Sequence, residues 1–181
     1  MSYVGIDQSY SGFGITFLRE DGTHETIVKE FAPKKSAGVT RLEDIADWLA
    51  LEIHKHDDDE LIEHVCMEGY ASGTTFGREK AGELGAVVKM AFYEGEGGRI
   101  FPTIVPPMSL KKFILGVGKG GKNEILLGCY KRWAVDFHDD NAADSYGLAR
   151  LAQAIHTGKT EFAYEREVIA KLTPFTERPA S

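Results

Sequence analysis

The sequence predicts an α/β protein built on a five-stranded mixed sheet flanked by helices. Near the amino terminus, three short apolar segments are separated by turn-forming residues, a pattern typical of a three-strand antiparallel meander. From residue 40 onward, segments with helical spacing alternate with two further short apolar segments. Such alternation favours parallel strands connected by helices. The 181 residues are enough for one domain with a layered core.

The first three strands are predicted at Tyr3–Gln8, Phe13–Arg19 and His24–Phe31. A break rich in serine and glycine separates the first two, and Asp21-Gly22 supplies the turn before the third. The first strand contains one acid, Asp7, among apolar residues. Because burying a carboxylate is costly unless a cation or a hydrogen-bond donor compensates its charge, this acid is the first candidate functional residue.

The later part of the chain alternates between helical and strand patterns. Apolar residues at helical spacing predict the helices, and short apolar segments predict the strands. In chain order these are a helix at Thr40–His54, a strand at Glu63–Tyr70, a helix at Arg78–Glu94, a strand at Arg99–Val105, and helices at Ser109–Leu115, Lys122–Ala134 and Ala142–His156. We expect one domain at residues 1–158, followed by an irregular tail at 159–181 that lies on the surface or is partly disordered.

Composition and charge limit the classes of function. No apolar run approaches the roughly 18 residues of a membrane span, and no cleavable leader is recognisable, which favours a cytoplasmic protein with no membrane partner. Cys66 and Cys129 lack the spacing of a metal or redox motif, so we expect small buried side chains. The net charge is −7, but segment 108–133 carries six basic residues against one acid, a net +5. This segment is either a solvated face or a phosphate-binding patch.

Three acids stand out by their predicted positions. Asp7 lies in the first strand, Glu68 ends the fourth, and Asp144 lies in the first turn of the last core helix. The carboxyl ends of parallel strands meet at one edge of a sheet, and oxygen ligands at such an edge suit Mg²⁺ or Mn²⁺. Two such ions about 3.5–4 Å apart could activate a water and stabilise the departing oxygen of a phosphodiester. Taken singly, Asp144 could complement its helix dipole and Glu68 could pair with an arginine.

Four segments, in order, carry a resemblance to a known family. They are VGIDQSYSGFGI (Val4–Ile15), CMEGY (Cys66–Tyr70), LKKFILGVGKGGK (Leu110–Lys122) and DDNAADSYGLA (Asp139–Ala149). Over roughly residues 3 to 156, the chain resembles the RuvC-type Holliday-junction resolvases of the ribonuclease H-like superfamily, closest in character to divergent phage members. The resemblance implies a ribonuclease H-like fold and a homodimer that resolves four-way DNA junctions in recombination or repair, in the host cytoplasm if a phage encodes it.

The resemblance also implies the metal ligands. Asp7, Glu68 and Asp144 match the family's catalytic acids, which hold two Mg²⁺ ions per active site, with Mn²⁺ as a substitute. Asn141 departs from the family, which commonly has aspartate or histidine three residues before the last acid. An asparagine can coordinate through its carbonyl, but it adds no negative charge and cannot act as a base. Either the adjacent Asp140 substitutes as a ligand, or the second ion is held less tightly.

The basic segment and the same resemblance, which matches Lys111 and Lys122 to the family's lysines, together imply the DNA contacts. Lysines in the basic segment are expected to meet backbone phosphates, and Lys122 is also expected to stabilise charge in catalysis. The lysines are Lys111, Lys112, Lys119 and Lys122. Tyr70 and Phe76 follow the fourth-strand glutamate, where the family places an aromatic wedge into the junction; either could equally be a core aromatic beneath a loop.

Three alternatives remain open. An RNA–DNA hybrid ribonuclease or a less selective branched-DNA nuclease would keep the fold and change the substrate. A junction-binding protein that does not cleave is a second alternative, motivated by Asn141. A nucleotide-binding module is the third and the weakest, because GVGKGGK is followed by Asn123 and so does not match GxxxxGK[ST].

Overall fold

The computed structural model describes residues 1–31, 37–57, 61–69, 78–93 and 100–172. Five strands and six helices lie within these residues. In chain order they are β1 (Ser2–Asp7), β2 (Phe13–Arg19), β3 (His24–Lys29), α1 (Val39–Asp57), β4 (Ile62–Glu68), α2 (Arg78–Tyr93), β5 (Thr103–Val105), α3 (Pro107–Leu115), α4 (Lys122–Trp133), α5 (Asp140–Thr157) and α6 (Ala163–Ile169).

The strands form one mixed sheet in the order β3-β2-β1-β4-β5. The pairs β1–β2 and β2–β3 are antiparallel, whereas β1–β4 and β4–β5 are parallel. The predicted meander followed by two parallel strands is therefore confirmed. Among the described helices, none is both long enough and apolar enough to cross a membrane.

Two element predictions differ from the structure. The fifth strand begins only at Thr103, because Pro102 has no N–H to contribute to a strand ladder. The polar sequence after Gly158 predicts an irregular segment, whereas the structure has α6 there. This helix packs against the core through Val168, and Glu165 is buried with it. Residues 173–181 lie outside the described part of the chain.

The central strand β1 is buried along its whole length, and its side chains alternate between two cores. Val4 and Ile6 belong to the core shared with α1 and α2, whereas Tyr3 belongs to the core shared with α3, α4, α5 and α6. Gly5 and Asp7 follow Tyr3 at alternate positions, so they share its face of the sheet. Asp7 therefore lies on the face that α5 covers.

Helix α5 sits directly on the sheet because two strand positions lack side chains. A Cβ atom on Gly5 would lie 2.0 Å from the Ser145 carbonyl oxygen and 2.2 Å from the Ala149 nitrogen. A Cβ atom on Gly14 would lie 2.5 Å from the Asn141 carbonyl oxygen. Only glycine permits this close approach. The contact fixes the start of α5 beside the end of β1.

Candidate active site

The three acids predicted from the sequence lie at one edge of the sheet. Asp7 and Glu68 are the last residues of β1 and β4. These strands are parallel, and Ile6 is in register with Met67, so the two acids follow at neighbouring positions. Asp144 lies near the start of α5, one residue before Ser145, whose hydroxyl is 2.9 Å from that of Thr16 on β2.

A hydrogen bond joins the side chains of Asp7 and Glu68. Asp7 is only 7% exposed, and burial followed by the charges of Glu68 and Asp144 raises the pKa of Asp7 to about 9. Burial also raises the pKa of Glu68, although the hydrogen bond with Asp7 and the Lys111 charge oppose that rise. These residues form the acidic edge of the protein, which we define as Asp7, Glu68 and Asp144.

Asp144 belongs to the same electrostatic group. Burial, and then the charges of Glu68 and Asp140, raise the pKa of Asp144 to about 7. Lys111 and Lys122 act in the opposite direction. The acidic edge thus concentrates negative charge that its own surroundings do not fully compensate.

The donor set of the acidic edge suits a hard divalent cation. All three side chains offer carboxylate oxygens, which Mg²⁺ and Mn²⁺ prefer. Within the described residues, however, no three histidine, cysteine or acidic side chains are already arranged as a metal-binding group.

Gln8 is a site residue that the sequence reasoning missed. Its Nε2 donates a 2.9 Å hydrogen bond to the backbone oxygen of Glu68. This bond ties the ends of β1 and β4 together just beyond their last ladder pair. Among the described residues the Oε1 of Gln8 has no hydrogen-bond partner although it is buried, so a neutral acceptor directly follows Asp7 along the chain. Its position directly after the strand acid was the only sequence signal.

Asp140 and Asn141 have different surroundings. Asp140 forms an ion pair with Lys122, and its charge acts on both Asp7 and Asp144. The side chain of Asn141 faces the turn between β1 and β2, since a Cβ atom on Gly12 would lie 2.8 Å from its Nδ2. Asp140 therefore adds charge to the acidic edge, while Asn141 contacts the neighbouring turn.

The four predicted lysines have different partners. Lys111 donates a 2.8 Å hydrogen bond to the Gly120 carbonyl oxygen, and its charge reaches Glu68 and Asp144. Lys122 is 75% exposed and pairs with Asp140. Lys112 instead bonds Glu167 on α6 at 2.6 Å, and Lys119 is exposed on the loop after α3. The structure thus brings Lys111 and Lys122 to the acidic edge, but not Lys112.

The predicted aromatic wedge residues, Tyr70 and Phe76, lie outside the described residues.

Comparison with solved structures identifies proteins of the same architecture. The chain resembles T. thermophilus RuvC in complex with a Holliday junction substrate, with a TM-score of 0.71, 17% sequence identity, and coverage of 97% of this chain and 99% of that chain. A second match, a Thermus thermophilus RuvC structure, has a TM-score of 0.64 and 18% identity, covering 97% of this chain and 100% of that chain. No protein-family model matches the sequence, and no curated protein matches it. At these identities the likeness establishes the fold: the chain has the ribonuclease H-like architecture of RuvC, as its sequence motifs predicted.

Proposed function

We propose that this chain is a divalent-metal-dependent endonuclease that resolves four-way DNA junctions by hydrolysing phosphodiester bonds. The observation that carries the proposal is the acidic edge: Asp7 and Glu68 share a hydrogen bond, and Asp144 lies within electrostatic reach. The fold supports the same proposal, since the solved RuvC structure that it resembles is a complex with a Holliday junction substrate.

The cation would be held by Asp7, Glu68 and Asp144, with Asp140 or Asn141 as further oxygen ligands. Mg²⁺ is the expected ion and Mn²⁺ its substitute, with two ions per site. When bound, the ions would activate the attacking water and stabilise the departing oxygen of the phosphodiester. Binding requires the ionised carboxylate, and burial raises the pKa of Asp7 to about 9, so cation affinity should rise with pH.

The lysines beside the acidic edge would hold the DNA backbone. Lys111 is anchored to the Gly120 carbonyl and close enough to Glu68 and Asp144 to influence both, so it can meet a phosphate at the reacting centre. Lys122 is exposed and paired with Asp140, and it can exchange that acid for a phosphate. Lys119 would add a contact at the rim of the site, and Lys112 could do so only by leaving Glu167.

Resolution of a junction requires two cuts related by two-fold symmetry, and a homodimer would supply two acidic edges in that relation. The exposed side of α2, where Met90 is 55% exposed, is our candidate for the interface. Light scattering of the purified chain tests this part of the proposal, with the mass of two chains as the expected result and the mass of one chain as the contrary result.

A second candidate function is junction binding without cleavage. It is favoured by Asn141, which supplies no charge. Under this alternative, Asn141→Asp would add a carboxylate near the acidic edge and could create cutting that the natural chain lacks. Under our main proposal, the natural chain already cuts.

One assay separates these functions. A labelled four-way junction, a linear duplex and an RNA–DNA hybrid are each incubated with the protein in EDTA, Mg²⁺ or Mn²⁺. The proposal predicts paired, symmetric nicks in the junction only when a cation is present, leaving 5′-phosphate and 3′-hydroxyl ends. Asp7→Asn, purified identically, controls for a contaminating nuclease.

The other outcomes of this assay are equally informative. Cutting of the hybrid in preference to the junction would favour a ribonuclease. A junction that is bound tightly and left intact with both ions would favour the second candidate function.

A further inference from the structure

The lysines discussed above lie on one helical hairpin, which we call the lysine hairpin and define as residues 107–133 (α3, the loop 116–121 and α4). Lys111 lies on α3, and its ammonium group bonds the carbonyl of Gly120 in the loop. The hairpin belongs to a different part of the fold from β1 and β4, which carry Asp7 and Glu68. Its position relative to the sheet therefore decides where Lys111 lies relative to the acids.

Arg132, near the end of α4, connects the two helices of the hairpin to α6. Its Nη1 donates a 2.5 Å hydrogen bond to the backbone oxygen of Phe113, two residues after Lys111. Its Nη2 pairs with the carboxylate of Glu165 on α6. The guanidinium also lies over the rings of Trp133 and Phe162, at 4.5 and 5.3 Å from their centroids.

Glu165 is bound on both of its carboxylate oxygens. It is only 2% exposed, and its Oε2 accepts hydrogen bonds from the backbone nitrogens of Glu161 (2.6 Å) and Phe162 (3.1 Å). Its Oε1 is left for Arg132. The carboxylate therefore caps the start of α6 and fixes the arginine at the same time.

Two further contacts join α6 to the hairpin. The ring of Tyr164 lies against Gly116, the C-cap residue that follows α3, where an added Cβ atom would come within 3.3 Å of it. Lys112 bonds Glu167 at 2.6 Å. Helix α6 thus touches α3 directly after Lys111 and again at the C-terminal end of that helix.

We propose that Arg132 and Glu165 are positioning residues, which fix the lysine hairpin so that Lys111 stays beside the acidic edge. A buried ion pair is a weak source of stability, because the cost of removing both charges from water offsets much of their attraction. Apolar side chains in place of this ion pair could hold α6 against α4 equally well. The forked guanidinium, which reaches Glu165 and the Phe113 carbonyl at once, adds a fixed geometry that apolar contacts would not. What Lys111 does there rests on the proposed function.

The test uses Glu165→Gln in the full chain. The glutamine keeps an oxygen for the backbone donors but presents an NH₂ group to Arg132, so that the two donors face each other. We expect single-turnover junction cleavage to slow by about ten- to a hundredfold, with junction affinity changed by less than about twofold. Glu161→Gln is the matched control, because Glu161 lies 3.8 Å from Arg132 but is 69% exposed, and it should cleave as the natural chain does.

A double-mutant cycle with Lys111→Ala separates positioning from simple destabilisation. If Glu165 acts through Lys111, the double variant cleaves no more slowly than Lys111→Ala alone. If the two effects multiply, the inference is overturned. Leu84→Ala, in the core on the other face of the sheet, serves as a destabilised reference that should show no such dependence on Lys111.

Hydrogen–deuterium exchange tests the same inference without cleavage. Glu165→Gln should raise exchange of the amides in residues 110–121 while leaving those of β1 and β4 unchanged. A cavity of about 330 Å³ borders Arg132 and Glu165, so water can enter beside the altered pair and folding should survive. If the glutamine variant does not fold, Arg132→Lys replaces it, because lysine keeps the charge but cannot hold both partners in one plane.

The two proposals fail in distinguishable ways. If the natural chain cuts junctions but Glu165→Gln changes neither exchange nor cleavage, the positioning inference is wrong and the proposed function stands. If the natural chain never cuts, the proposed function is wrong, and exchange in residues 110–121 still decides whether the pair fixes the hairpin.

Discussion

The acidic edge and the lysine hairpin carry charges of opposite sign, and they differ in how far those charges are compensated by neighbouring groups. Asp7 is buried and Glu68 and Asp144 are half-buried, and beyond the effect of burial the charge of Glu68 raises the pKa values of both Asp7 and Asp144. The lysines lie on surface helices, and two of them already have a carboxylate partner, Lys112 with Glu167 and Lys122 with Asp140. The acidic edge therefore holds negative charge that is not fully compensated, whereas Lys112 and Lys122 of the lysine hairpin are each paired with a carboxylate.

This difference indicates which ligand each region would bind. Like charges that lie close together favour a cation, and the pairing of β1 with β4 and the close contact of α5 with Gly5 keep the three acids at one edge of the sheet. Exposed ion pairs contribute little to stability, so lysines can exchange their acidic partners for phosphates at small cost. The acidic edge should therefore control whether cleavage occurs, and the hairpin should control its rate and its salt dependence.

The largest expected effect is on cleavage by Asp7→Asn. This substitution removes the acid that contacts Glu68 and lies in range of Asp144. Mutating a residue that only supports a metal ligand can already cost up to about a hundredfold in activity, so loss of a ligand should reduce cutting by more than that. Junction affinity should stay the same or increase, because a negative charge near phosphates has gone. Gel-shift and cleavage assays on one preparation measure both. Retained cutting would remove Asp7 from the mechanism.

The next effect is on the hairpin. Lys111→Ala and Lys122→Ala should each slow cleavage and reduce the slope of log affinity against log salt by about 0.9 for each lost phosphate contact. Lys159→Ala is the control, since Lys159 is exposed beyond the far end of α5. Slopes equal to that of the natural chain would show that neither lysine meets the DNA backbone.

A smaller effect is expected on stability. In EDTA at pH 8, Asp7→Asn should unfold at a higher temperature than the natural chain, because it removes the cost of holding an ionisable carboxyl group in a buried position beside two other acids. The gain should be at least about 1 kcal/mol, the equivalent of roughly one pKa unit. Added Mg²⁺ should stabilise the natural chain and leave the variant unchanged. A less stable variant would mean that the carboxyl group is needed for the fold.

The smallest effect concerns His64, on the same strand as Glu68 but toward its other end. Burial, and then the charge of His156, lower the pKa of His64, whose Nε2 lies 3.0 Å from the Thr103 hydroxyl. The folded state disfavours protonation, so stability should be lost as the pH falls below about 6.5, the value for the unfolded chain. His64→Gln should make unfolding less pH-dependent between pH 7 and 5 while cleavage at pH 8 is unchanged. An identical pH dependence in both proteins would exclude this histidine as its source.

The sequence predicted the features that depend on local pattern. An acid within an apolar strand, a second at a strand end and a third at a helix start led to Asp7, Glu68 and Asp144, because parallel strands bring their carboxyl ends together. The contacts that hold these groups in place were not predictable in that way. Gln8 bonds a carbonyl sixty positions away, and no local pattern marks such a pair.

The same reason explains why α6 was missed. Its sequence is polar, and glutamate is a residue type that usually lies on the surface. Glu165 is buried here because it pairs with Arg132, which lies thirty-three positions earlier in the chain. The seating of α5 depends likewise on the absence of side chains at Gly5 and Gly14, which in the sequence are only two of twenty glycines. Long-range contacts decided each of these cases.

The central claim is that three acids distant in sequence bind one set of divalent cations. Calorimetric titration of the metal-stripped protein with Mn²⁺ tests it directly, alongside the triple variant Asp7→Asn, Glu68→Gln, Asp144→Asn with folding checked by circular dichroism. We predict saturable binding by the natural chain and none by the folded triple variant. Equal binding by the two proteins, or no binding by the natural chain at millimolar Mn²⁺, would contradict the account.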